Sequence, residues 1–176
     1  VGNVHPGFMG WVHGGGTPVG MLAEMLAAGL NANVGGRNQM PVEVERQISR
    51  WMAELFGFPE TASGIFVTGT SMANLMGVLV ARTQTLGVAA RQQGLQGAPL
   101  VAYTSAAAHG CIAQAMDLSG LGTAALRRIA VNHRQQIDVA ALAQAIAADR
   151  AAGLLPFFIA GTAGTDSGGR QPLAAY

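Results

Sequence analysis

The sequence contains no lysine. Its 176 residues carry ten cationic side chains, and all ten are arginines, at 37, 46, 50, 82, 91, 127, 128, 134, 150 and 170. GC-rich codon usage, which favours Ala, Gly and Arg together, is enough to explain the imbalance. The absence still excludes chemistry: a G-x-x-x-x-G-K-[ST] phosphate loop, a kinase strand lysine and a Schiff-base lysine are all impossible on these residues. Cysteine is almost missing as well. Cys111 stands alone, so no disulfide closes within the chain, and the usage suits a reducing, cytoplasmic compartment. Charge is sparse, at 11% charged residues and a formal net +1. The arginines are scattered, which gives no electrostatic case for nucleic acid or an acidic membrane surface. Long apolar runs are lacking. The stretches Val1–Ala23 and Gln92–Met116 avoid Asp, Glu and Arg but are broken by His, Pro, Gly and Gln, so neither reads as a membrane span. The start VGNVHPGFMG has neither the basic region nor the apolar core of a signal peptide.

What is present is apolar. Half the residues are hydrophobic and 25 are glycine without a fixed period, which excludes disordered and collagen-like chains. The length suits one domain with a sizeable core. Val1–Pro18 is Gly-, His- and aromatic-rich and reads as irregular. A short helix over Val19–Leu30 places Met21, Leu22, Met25 and Leu26 on one face, and Asn31–Met40 reads as a loop. Pro41 suits the first turn of the next helix, Glu43 and Glu45 suit its dipole, and Gly57 ends it. Short strands then alternate with longer helices. Strands are expected at Ile65–Val67, Leu100–Tyr103, Leu126–Val131 and Phe157–Ala160, with helices around Met72–Val80, Ile112–Leu118 and Val139–Ala152. That alternation predicts an α/β fold with a mostly parallel sheet flanked by helices. Ligands in such sheets bind beyond the carboxyl ends of the strands.

Three strand ends stand out. Val67-Thr68-Gly69-Thr70-Ser71 runs into an amphipathic helix. It is either an anion cradle of helix amides and hydroxyls or a plain Ser/Thr cap with a turn glycine. Tyr103 to Cys111 places His109 at the opening of a helix, suited to stacking or hydrogen bonding, or else to ordinary capping. His109 and Cys111 lack further metal-ligand partners, so no metal site is expected. Ala160 to Gly169 is a small-residue loop after a strand, either a turn or a place where something flat lies against backbone.

In that order, these segments resemble the N-terminal part of the large domain of the pyridoxal-phosphate-dependent decarboxylases of the aromatic-L-amino-acid and glutamate decarboxylase group. The matching landmarks are His5-Pro6 with Phe8, the Met21–Leu26 helix, Met40-Pro41 leading to Glu45 and Trp51, and Gly64 to Asn74. They continue with Ala81-Arg82, Tyr103 to His109, Asp138 with Leu142, and Gly153 to Thr165. Nearly the whole chain is covered. The resemblance implies an incomplete fold-type-I large domain over residues 41–176, with 1–40 as an N-terminal segment contributing to a dimer and a substrate pocket. It implies that Thr70 and Ser71 bind the phosphate of pyridoxal 5'-phosphate. It implies that His109 is the catalytic histidine stacked on the ring, and that Thr165 lines the ring's surroundings. Trp11, Val12 and His13 are implied to reach the substrate pocket, often from the partner subunit of a homodimer. The implied activity is amino-acid decarboxylation.

The sequence departs from the pattern where Asp166 replaces a second threonine and the loop before Pro172-Leu173 is about one residue short. The family's His-Val-Asp strand and His-Lys pair have no counterpart, so the chain is expected to be the first portion of a longer enzyme. An aminotransferase or other lyase on the same fold, and an inactive dimerisation partner, are the alternatives.

Overall fold

In a computed structural model, which describes residues 5–7, 16–35 and 38–163, the strand–helix alternation becomes a parallel sheet covered on both faces. The chain divides into two units, Val1–Val67 and Thr68–Tyr176.

The first unit holds two helices. In α1 (Pro18–Leu30) the first residue is proline, and Thr17 Oγ1 accepts the Gly20 N–H at 3.0 Å. A proline and a hydroxyl cap together define a helix start. None of its residues is buried. In α2 (Met40–Leu55) Pro41 again lies in the first turn and Glu43 faces the positive end of the dipole. The segment Ile65–Val67, expected as a strand, is not one. No ladder forms there, and the Phe66 N–H donates instead to Glu45 Oε1 at 2.6 Å. Branched and aromatic residues satisfy strand propensity locally, but a strand exists only where another strand takes its backbone groups.

The second unit carries α3 (Thr70–Leu86), a single turn α4 (Ala90–Gln93), β1 (Leu100–Ser105), α5 (Cys111–Leu118), β2 (Leu126–Ile129), α6 (Val139–Ala151) and β3 (Leu155–Ala160). The sheet order is β2-β1-β3 and both pairings are parallel. β1 is central and all six of its residues are buried, as a strand covered on both faces requires. On one face Ala102 packs with Val78 of α3 and with Ile112, Ala115 and Met116 of α5. On the other, Val101 and Tyr103 join Ile129 beneath Leu142 and Ile146 of α6. α6 starts where Asp138 Oδ1 accepts the Ala141 N–H at 3.0 Å. The β1–α5–β2 crossover moves one way along the sheet and the β2–α6–β3 crossover moves back the other way. Crossovers of one hand therefore lie on opposite faces.

Several limits differ from expectation: β1 runs on to Ser105 and β3 begins at Leu155. β2 ends at Ile129, because Val131 bridges antiparallel to Ile137 and turns the chain towards α6. His109 precedes α5, which begins at Cys111 after Gly110. Among the described residues no helix is long and apolar enough to cross a membrane.

Candidate functional site

α3 begins abruptly. Its N-cap is Gly69, with φ 130° and ψ 169°, a backbone region that side chains exclude and glycine occupies freely. No side chain caps this helix. Thr70 and Ser71 are therefore its first two residues rather than its cap, and their hydroxyls remain available to something else. An uncapped helix start carries orphan N–H groups and partial positive charge.

Both residues line a cavity of about 590 Å³, within the usual range for small-molecule sites. Asn74 adds to the wall one turn further along α3, since side chains three and four residues apart share a helix face. His109, Cys111 and Ile112 enter from the start of α5, and Phe158 to Ala163 from the end of β3 and the loop after it. The cavity thus sits at the carboxyl ends of parallel strands, beside the position where the connections reverse direction. The Thr104 hydroxyl donates to Ala160 O at 3.1 Å, joining the ends of β1 and β3. Ser105 Oγ accepts the Ala107 N–H at 3.2 Å and shapes the turn out of β1.

His109 is held by its own neighbourhood. Its Nδ1 accepts the Cys111 N–H at 3.1 Å, so the hydrogen of the neutral ring is on Nε2. The amide of Asn74 in turn donates to Cys111 Sγ at 3.2 Å. Of the residues expected at the site, Thr70, Ser71 and His109 share this cavity, while Trp11, Val12, His13 and Thr165 lie outside the described residues. Asn74 and Cys111 were not expected there. The i+3/i+4 spacing of Asn74 from Ser71 and Thr70 was a usable signal, whereas its bond to Cys111 spans 37 residues and leaves no local pattern.

A polar network occupies the opposite face of the sheet. Asp149 of α6 accepts from the Tyr103 hydroxyl at 2.9 Å and from Arg127 Nε at 3.1 Å and Nη2 at 3.1 Å. Burial, and then the Asp149 carboxylate beside it, push the Tyr103 phenol up to about 12. Hydrogen bonds from Arg127, and secondarily from Tyr103, hold the Asp149 carboxyl below its ordinary value against the opposing effect of desolvation. This network faces α6, away from the cavity, and ties three elements together. The first unit has its own apolar cavity of about 270 Å³ between α2 and the segment 58–66, lined by residues such as Ile48, Met52 and Phe56.

Residues 2–170 match the family described as the pyridoxal-dependent decarboxylase conserved domain. The chain belongs to the pyridoxal-dependent decarboxylase family. Its relatives include the aromatic-L-amino-acid decarboxylase of Bacillus atrophaeus, 33% identical across 94% of this chain and 33% of that protein. The L-2,4-diaminobutyrate decarboxylase of Acinetobacter baumannii is 28% identical across 96% of this chain and 36% of its own length. Mouse CSAD in its apo form superposes with a TM-score of 0.83 at 25% identity, covering 90% of this chain and 34% of that one. Oryza sativa TDC with PLP gives 0.71 at 25% identity, with 86% and 35% covered. The chain therefore spans about a third of the length of the curated relatives it matches. Across that third, the decarboxylase family supplies the fold expected from sequence, a parallel sheet flanked by helices.

Proposed function

We propose that this chain forms the phosphate- and ring-binding part of a pyridoxal 5'-phosphate-dependent amino-acid decarboxylase, a carboxy-lyase. The observation that carries the reading is the uncapped start of α3, whose Thr70 and Ser71 face the same cavity as His109. Those residues suit the cofactor chemically. Two hydroxyls and a helix N-terminus donate to a phosphate, and an imidazole from a facing helix start offers a flat partner for a pyridine ring. When bound, the pyridoxal group supplies the electron sink for loss of a carboxylate from an amino acid.

The protein's own tasks are positional. Thr70 and Ser71 hold the phosphate end, and the α3 dipole favours its charge. His109 covers one face of the ring and presents its Nε2–H. The small residues from Gly161 to Ala163 let the substrate approach backbone closely. Family resemblance adds Thr165 beside the ring. It also adds Trp11, Val12 and His13 of an N-terminal segment 1–40, reaching the substrate pocket of the partner in a cytoplasmic homodimer. The remaining residues 41–176 form the cofactor domain. A lysine to hold the cofactor covalently has to come from outside these 176 residues, which contain none. The relatives' names span aromatic and diamino substrates, so the substrate class is an α-amino acid.

Pyridoxal phosphate titration of the protein carrying this chain, together with its Thr70→Ala/Ser71→Ala variant, tests the cradle. Losing two charge-assisted hydrogen bonds should weaken binding by at least about tenfold. Unchanged binding would remove the cradle. Carbon dioxide release from a panel of amino acids tests the reaction, and keto-acid formation without carbon dioxide would move the assignment to an aminotransferase. Carbon dioxide release from no amino acid would instead point to the second reading, a non-catalytic dimerisation partner.

A further inference from the structure

Three residues of the cavity form a relay that the phosphate and ring contacts do not use. Asn74 Nδ2 donates to Cys111 Sγ at 3.2 Å, and the Cys111 N–H donates to His109 Nδ1 at 3.1 Å. Asn74 lies on the face of α3 that carries Thr70 and Ser71, one turn into the helix. Cys111 is the first residue of α5, and its side chain is buried. Deeper in the fold, Val78 of α3 packs in one core with Ala115 and Met116 of α5, which fixes the distance between the two helices. The same core reaches Cys111 and Ile112 at the cavity, with Leu75 of α3 packed against it. There the Asn74–Cys111 hydrogen bond joins the two helix starts, and it ends one backbone amide from the histidine.

We infer that Asn74 and Cys111 are positioning residues: through the Cys111 amide they hold the His109 ring, in its Nε2–H form, at a fixed place relative to Thr70 and Ser71. A buried thiol suits this role. It is large enough to fill the space at the helix start and accepts an amide hydrogen weakly. The bond therefore orients Cys111 without drawing Asn74 out of the α3 face. Serine would conserve the acceptor, whereas alanine would remove it. The inference rests on the proposed cofactor site for its catalytic consequence, but not for its geometry.

The experiment uses the protein carrying this chain with Asn74→Ala, Cys111→Ala and Cys111→Ser, and reads three quantities. The first is the ¹⁵N shifts of the His109 imidazole without cofactor, the second the circular dichroism of bound pyridoxal phosphate, and the third kcat against KM. In wild type the ¹⁵N shifts should report the Nε2–H tautomer. Asn74→Ala and Cys111→Ala should give a mixture of tautomers and altered dichroism of the bound cofactor. Their kcat should fall by up to about 100-fold, as small misplacements can cause, with KM much less changed. Cys111→Ser should restore all three towards wild type. Wild-type imidazole shifts in both alanine variants would overturn the inference, as would equal losses in the serine and alanine variants. Should the wild-type protein fail to bind pyridoxal phosphate, the cofactor assignment falls. The imidazole shifts would still decide the relay.

Discussion

The hydroxyl of Tyr103, wholly buried in the central strand, donates to Asp149 Oδ2 at 2.9 Å, across 46 residues of sequence. Arg127 of β2 grips the same carboxylate through Nε and Nη2. One side chain of α6 is therefore bonded to both β1 and β2, and the helix is fixed over the sheet. Tyr103→Phe keeps the ring's packing and leaves Asp149 paired with Arg127. It should cost about 1 kcal/mol in urea unfolding and leave the cavity on the opposite face unaffected. Asp149→Ala strands both the phenol and the guanidinium and should destabilise more than Tyr103→Phe. Equal losses would mean that the Arg127 contact adds nothing.

The same network sets two limits of stability with pH. Tyr103 titrates near 10 when unfolded and at about 12 in the fold. A raised value means that the native state favours the neutral phenol, so this contribution is complete below pH 10 and is lost as pH rises towards 12. Asp149 is shifted the other way. Its contribution is present above the ordinary carboxylate value of 3.8 and is lost as pH falls from there through the lowered native value. Unfolding free energies measured against pH should therefore fall on both sides of a plateau. Tyr103→Phe should flatten the alkaline side between 10 and 12 and weaken the acid side only in part, because Arg127 is the larger cause of the Asp149 shift. An unchanged alkaline limb would show that the phenol does not carry it.

Most of the second unit could be read from sequence because each element is specified locally. Short apolar runs bounded by polar turns announce β1, β2 and β3, and in the first unit Pro41 announces the start of α2. The position of the cavity followed from a topological rule rather than from any one motif. Ile65–Val67 fails where local composition stops being sufficient: three strand-forming residues have no partner strand among the described residues, and Glu45 takes a backbone group instead. The Tyr103–Asp149–Arg127 network and the Asn74–Cys111 bond were illegible for a related reason. Each joins residues 22 to 46 positions apart, and only the folded sheet and its helices bring them within reach.

Gly69 predicts a separable effect at the start of α3. A Cβ built there meets nothing within 4 Å, so Gly69→Ala introduces no clash. The cost is backbone alone, because φ 130° with ψ 169° is a region essentially reserved for glycine, worth about 1–3 kcal/mol. The expected result is a lower melting temperature together with weaker pyridoxal phosphate retention, as relaxation of residue 69 re-aims the first amides of α3. A variant that loses stability but keeps full affinity would show that the cradle tolerates a shifted helix start.

His109 offers the sharpest division between stacking and hydrogen bonding. Its ring accepts the Cys111 amide through Nδ1 and faces a cavity shared with Thr70 and Ser71. Phenylalanine retains a flat face but has no nitrogen, whereas alanine retains neither. If the ring's principal service is to cover the cofactor, His109→Phe should keep pyridoxal phosphate affinity within a few-fold of wild type, and His109→Ala should lose roughly tenfold, about the magnitude of an aromatic stacking contact. If the Nε2–H also assists turnover, His109→Phe should lower kcat by about 100-fold or more while affinity holds, in the range of a positioned proton donor. Equal affinity in all three proteins would remove the histidine from the cofactor's surroundings, whatever happened to the rate.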